Sequence, residues 1–231
     1  MKKYIFLTIS NLFIFLILPI TRLISKKIYD KYVLPKILSF TCNTKPINYQ
    51  RKKIIPSATG FVVELGVGAG ANFRFYIPEK ILKVIAIDPS SELNILAREE
   101  AKKYNIEIQI LNQSAENIPF EDNSIDTVVS TYTLCSIPNP DQTMREVYRV
   151  LKPNGIFLFS EHGRSPDRFT VFIQDQVEFF YPFISGGCHC NRDIKKVISN
   201  SNLEFQSLDT TYLPGTQKFL GFNYWGTAIK L

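Results

Sequence analysis

The sequence predicts an α/β protein: a doubly wound, mostly parallel seven-stranded sheet with a C-terminal antiparallel hairpin, preceded by N-terminal membrane-anchoring helices. Three observations carry this reading. Short apolar runs alternate with helical stretches between residues 61 and 160, the rhythm of a parallel sheet with helices on both faces. A glycine-rich turn, Gly66-Val67-Gly68-Ala69-Gly70, follows the first apolar run directly. Two strand-like runs, 203–210 and 222–230, flank Pro214-Gly215 and read as a hairpin at the sheet edge.

The N-terminus stands apart by charge. Residues 1–60 carry +10 and residues 61–231 carry −4, which together make the net +6. A nucleic-acid enzyme would place its positive surface on the globular part, so no nucleic-acid partner is expected. A basic segment beside an apolar one suits anionic lipid headgroups instead. Residues 4–20 are uncharged, with Lys2 and Lys3 before them and Arg22, Lys26 and Lys27 after. A cleaved signal needs a small-residue site, and Pro19-Ile-Thr-Arg22 offers none. A spanning helix needs about 20 apolar residues, so this stretch is at the lower limit. A monotopic anchor would sink 4–18 into lipid and lay 22–40 in the interface, with Pro19 dividing the two. Spanning and monotopic forms both remain open. The expected organisation is an anchor at 1–40, a linker at 41–60 and a catalytic domain at 61–231, held at a membrane and facing the cytoplasm.

Within the domain, 61–65 reads as a buried first strand and 71–76 as the start of a helix. Residues 84–87 form the second strand. A helix over 90–104 takes Ser90 or Ser91 as its N-cap. Strands at 106–111 and 125–130 follow. A helix over 140–151 is ended by Pro153 and Gly155, and 156–160 is the fifth strand. Beyond it, 167–180 is an aromatic-rich helix, and Asn191 can cap another running through Ser199. The cysteines, Cys42, Cys135, Cys188 and Cys190, make no C-x-x-C pair. Their scatter argues against a disulfide framework and fits a reducing compartment. Cys188-His189-Cys190 offers too few donors for a zinc site, so no metal is expected.

The strongest motif is Glu64-Leu-Gly66-Val-Gly68-Ala-Gly70 at the end of the first strand. Glycines there permit a tight turn and close approach of a ligand to the backbone. Gly66-x-Gly68-x-x-Ala71 also fits a dinucleotide fingerprint, and Asp88, at the end of the second strand, suits ribose hydroxyls in either case. Glu64 helps to break the tie, because a carboxylate is favourable near a sulfonium and unfavourable near a pyrophosphate. Ser114-Ala115-Glu116-x-Ile118-Pro119 after strand three and Asp126-Thr-Val-Val-Ser130 at strand four complete the set. Asp126 reads as a structural acid at the strand start.

This order of motifs resembles the Rossmann-like (class I) S-adenosylmethionine-dependent methyltransferases over about residues 60–162. The resemblance implies S-adenosylmethionine as methyl donor. Gly66, Gly68 and Gly70 would lie along its methionine portion, Asp88 would hold its ribose, Ala115 and Glu116 would lie near adenine, and Glu64 would face the charged end. Further along stand Leu134-Cys135-Ser136-Ile137, Arg145-Glu146-Val147-x-Arg149-Val150-Leu151-Lys152-Pro153-x-Gly155, Glu161-His162, Gly187-Cys188-x-x-Asn191-Arg192 and Gly226-x-Ala228-x-Lys230. With the anchor, these resemble the membrane-anchored, methyltransferase-like alkyl thiol S-methyltransferases; more distantly, the chain resembles quinone and phospholipid methyltransferases. Val67 and Ala69 stand where small polar residues are common in that family.

The expected function is therefore transfer of a methyl group to an apolar small-molecule acceptor, a thiol by resemblance, with the lipid surface as a second partner. A phospholipid or quinone acceptor is the alternative. A nicotinamide oxidoreductase and a non-catalytic membrane scaffold with a vestigial cofactor fold are readings from other classes. His162, following the fifth strand, is the expected general base. Phe179, Phe180, Tyr181 and Phe183 are expected either to line an acceptor pocket or to pack in the core. Oligomeric state is not legible.

Overall fold

A computed structural model describes residues 25–231. Seven strands form one sheet: β1 (Gly60–Leu65), β2 (Ile81–Ile87), β3 (Ile108–Leu111), β4 (Ile125–Thr131), β5 (Leu151–His162), β6 (Glu204–Tyr212) and β7 (Phe222–Ile229), in the order β3-β2-β1-β4-β5-β7-β6. The first five pair in parallel; β7 runs antiparallel to β5, and β6 antiparallel to β7. Alternate side chains of the central strands enter opposite layers, as the pleat requires. Val63, Ile85, Val128 and Phe157 join Met144, Val147 and Ile194 on one side. Val62, Ala86, Val129 and Leu158 join Ile54, Phe73 and Ala97 on the other. Burial on both faces is why these strands read as unbroken apolar runs. β6 is half-exposed and carries Glu204 and Asp209, charges that guard an open edge.

Helices α4 (Ser91–Lys102), α5 (Pro140–Val150), α6 (Arg168–Val177), α7 (Tyr181–Ile184), α8 (Ile194–Ser199) and α9 (Lys218–Gly221) complete the domain. Ser90 caps α4 by accepting from the Leu93 N–H, as expected. Asn139 caps α5, with Pro140 at the first helical position. Asp193, rather than Asn191, caps α8.

Two regions depart from expectation. Between β1 and β2 the chain makes two 3-10 turns, Phe73–Phe75 and Pro78–Lys80, instead of a helix from 71. The Asn72 side chain is drawn inward to Glu64 and Thr131, and Pro78 stops helical propagation soon after. The stretch expected as a linker holds α3 (Lys45–Ile54), which buries Gln50, Arg51 and Ile54 and packs on β5 and β7. Lys45-Pro46 reads as loop in isolation, yet proline is well placed in a first helical turn.

The expected interfacial helix over 22–40 is α1 (Lys26–Ile28), a π-helical turn (Tyr29–Val33) and α2 (Leu34–Thr41). It packs on the domain: Tyr29 is buried, and its hydroxyl donates to the Ile184 carbonyl at 2.6 Å. Among the described residues no helix is long and apolar enough to cross a membrane. The apolar stretch 4–18 lies outside the described residues.

Candidate active site

The parallel strands end together at a cavity of about 530 Å³, at the carboxyl edge where open α/β sheets hold ligands. Its floor is the β1 turn. Gly66, Gly68 and Gly70 all have positive φ. A Cβ on Gly66 would collide with Thr133, whereas one on Gly68 would meet nothing within 4 Å, because that position opens into the cavity. Asp88 enters from β2. Its carboxylate accepts the Gly68 N–H at 2.9 Å and the Ser90 N–H at 2.8 Å. Burial raises its pKa, and these two backbone donors oppose the rise. Ala115 also lines the cavity, and Leu34, Pro35, Leu38 and Gly186 supply an apolar part of its lining, the roof, where Leu34 and Leu38 approach Gly186.

Of the eight residues expected to bind the cofactor or act in catalysis, Gly66, Gly68, Asp88 and Ala115 line this cavity, and Glu64, Gly70, Glu116 and His162 lie outside the lining. Glu64 is buried behind the wall, where its carboxylate accepts from Asn72 Nδ2 at 2.9 Å and the Tyr76 hydroxyl at 2.7 Å. Desolvation outweighs those bonds and pushes its pKa up to about 7. Its link to the cavity is through Asn72, which does line it. Gly70 serves packing, since a Cβ there would strike the Phe73 ring. Glu116 turns away, accepting the Asn139 N–H at 2.6 Å and meeting Ser114 Oγ at 2.9 Å, so it supports the start of α5. Asp126 is structural, as read: it accepts the Phe61 N–H and pairs with Lys152.

His162 is 8% exposed and stands behind Tyr132, whose ring stacks on it with centroids 6.5 Å apart. Phe179 is 95% exposed, and Phe180 and Phe183 are also solvent-facing. These three phenylalanines line neither the cavity nor the core, which corrects the expectation for them, whereas Tyr181 is half-buried at the start of α7. The Cys188-His189-Cys190 run is split: His189 pairs with Glu178, and Cys190 approaches the Gln174 carbonyl.

Several lining residues escaped sequence reasoning. Arg51 is buried at the cavity, with its guanidinium 5.1 Å from the centre of the Tyr132 ring and Nη1 donating to the Cys42 carbonyl. In sequence it is one of three consecutive bases; only the helical period of α3 turns it inward. Tyr132 has φ +55°, costly for a bulky residue. It is held by its N–H to the Ser160 carbonyl and by the buried Glu161 carboxylate, which accepts the next two N–H groups, of Thr133 and Leu134.

Residues 63–159 match the family model described as a methyltransferase domain. The chain is 33% identical over 175 residues to the thiol S-methyltransferase TMT1B of Rattus norvegicus, covering 73% of this chain and 70% of that protein. The chain belongs to the S-adenosylmethionine-dependent methyltransferases. This methyltransferase is also 28% identical to the ubiquinone/menaquinone biosynthesis C-methyltransferase UbiE of Geotalea daltonii, over 76% of this chain and 77% of the relative. A solved S-adenosylmethionine-dependent methyltransferase of Thermotoga maritima shares the fold, with a TM-score of 0.63 at 20% identity over 88% of this chain and 99% of its own. The residues present fit the methyl donor. Gly68 leaves its backbone open to the cavity, and Asp88 is a buried, oriented carboxylate at the end of β2. S-adenosylmethionine supplies an electrophilic methyl group, and Gly66, Gly68, Asp88 and Ala115 would hold it.

Proposed function

We propose that this methyltransferase moves the methyl group of S-adenosylmethionine to an apolar small-molecule thiol at a membrane surface. The observation that carries the acceptor reading is the apolar roof: Leu34, Pro35 and Leu38 line the same cavity as the glycine turn. A roof of this kind excludes water from an apolar acceptor and favours its burial. Methyl transfer from a sulfonium is an in-line displacement, so holding the nucleophile about 3–3.5 Å from the methyl carbon supplies much of the rate. A thiol with an ordinary pKa near 8.5 is partly thiolate at neutral pH and needs little help from a base. That suits a site from which His162 is screened by Tyr132. The similarity to thiol S-methyltransferases supports the same choice, and the similarity to a quinone methyltransferase supports a ring carbon as the second reading.

Membrane association is supported by the outer surface. Ile28, Tyr32 and Phe40 project from the N-terminal helices beside Lys27, Lys31 and Lys36, and Phe169 and Phe172 project from α6. Aromatic and basic side chains together suit an anionic interface. The deciding experiment is a labelled-methyl assay comparing an alkyl thiol, a demethylated quinone and a membrane lipid extract. Label on the thiol is the expected result. Label only on the quinone or lipid moves the acceptor class, and absence of turnover with intact cofactor binding returns the scaffold reading.

A further inference from the structure

Cys135, His162 and Cys188 come from three separate segments: the turn after β4, the end of β5 and the loop after α7. Their side chains nevertheless converge. His162 Nε2 lies 2.7 Å from Cys188 Sγ, and Cys188 Sγ lies 3.3 Å from Cys135 Sγ. All three donor atoms fall within 4.8 Å of one another, and all three residues are buried. Both sulfurs are free thiols. A tetrahedral zinc ion, with bonds of about 2.3 Å to sulfur and about 2.0–2.1 Å to nitrogen, sets its donors roughly 3.5–3.8 Å apart. The two short separations here need to open by less than about 1 Å to reach that geometry. Two thiols and an imidazole are soft and borderline donors, which select zinc-like cations over magnesium or calcium.

We propose that Cys135, His162 and Cys188 form a three-ligand site for a thiophilic divalent cation of the zinc class. Among the described residues no fourth His, Cys, Asp or Glu joins the set, so one tetrahedral position stays open to water or a small exogenous ligand. The anchoring is firm on every side. The Cys135 carbonyl accepts the His189 N–H, the Cys188 carbonyl accepts from Ser185 Oγ, and the Tyr132 ring backs His162. Ser136 and Gly186, next to the cysteine segments, line the cavity. A bound cation would therefore tie together the loops of one cavity wall. Two cysteines contact each other across 53 residues of sequence, which is why the site cannot be read from spacing. The site does not depend on which acceptor the enzyme takes.

The test uses the full chain, kept reduced and stripped with a chelator. Zinc is titrated against a chromophoric competitor, and cobalt is added separately as a spectroscopic probe. The expected result is about one zinc per chain and a thiolate-to-cobalt charge-transfer band. C135S, C188S and H162Q should each weaken zinc at least about tenfold, while C190A leaves binding unchanged. Zinc should raise the melting temperature of the wild-type chain and not that of C135S. No cobalt–thiolate band in the reduced wild-type chain overturns the proposal, as does equal zinc binding by a C135S/C188S double variant. The wild-type cobalt spectrum decides the matter even where a variant fails to fold.

Discussion

Gly68 is the position at which one added side chain matters most. Its φ of +54° disfavours any L side chain, and its Cβ direction runs into the cavity. Gly68→Asp should lower S-adenosylmethionine affinity at least about tenfold, or 1.4 kcal/mol, with the apo chain still folded; ligand-induced melting shifts measure it. Glu116→Ala should do the reverse. Loss of its bond to the Asn139 N–H should cost about 1 kcal/mol of stability and leave cofactor affinity within about twofold, as calorimetric titration would record. Glu64 gives a pH signature. Its folded pKa of about 7 lies above the ordinary 4.5, so between those values the folded chain binds more protons than the unfolded one. Stability is then fully present below pH 4.5 and falls as pH rises toward 7, by on the order of 3 kcal/mol. Denaturant midpoints measured from pH 4.5 to 7.5 should show that slope in the wild type and not in Glu64→Gln.

At the scale of elements, the helices before the sheet decide who enters the cavity. Tyr29 bonds Ile184, and Leu34 and Leu38 meet Gly186. Leu38→Ala should raise the acceptor KM several-fold and change cofactor affinity little, because it trims the roof and leaves the glycine turn intact; steady-state kinetics with each substrate varied would separate the two. The parallel strands were legible because both of their faces are buried, which leaves unbroken runs such as Val84-Ile85-Ala86-Ile87. The glycine turn and Asp88 were legible because their job is backbone geometry at a strand end. Glu64, Gly70, Glu116 and His162 were misplaced relative to the cavity because sequence order reveals proximity to a strand end but not the side on which a side chain emerges. Arg51 was missed for the opposite reason: a base in a run of bases gives no sign of burial until the helical phase of α3 is known.

On the scale of the whole molecule, charge separates the two ends: a basic N-terminal segment precedes a mildly acidic domain. Removing residues 1–24 should reduce co-sedimentation with anionic vesicles while cofactor binding persists. Removing 1–41 should in addition impair acceptor use, since Leu34, Pro35 and Leu38 go with it. Equal vesicle binding by the full chain and the shorter form would place the lipid contact on the exposed aromatics of the domain instead.

The bond between Tyr29 and Ile184 joins positions 155 residues apart. A growing chain exposes Tyr29 early, long before its partner has been made, and closing so large a loop is entropically slow. This part of the cavity can therefore be completed only after residue 184 has been made. An early release or a C-terminal nick before residue 184 would leave apolar α2 uncovered, so newly made copies pass through a sticky stage from which a nearby lipid surface or chaperone offers shelter.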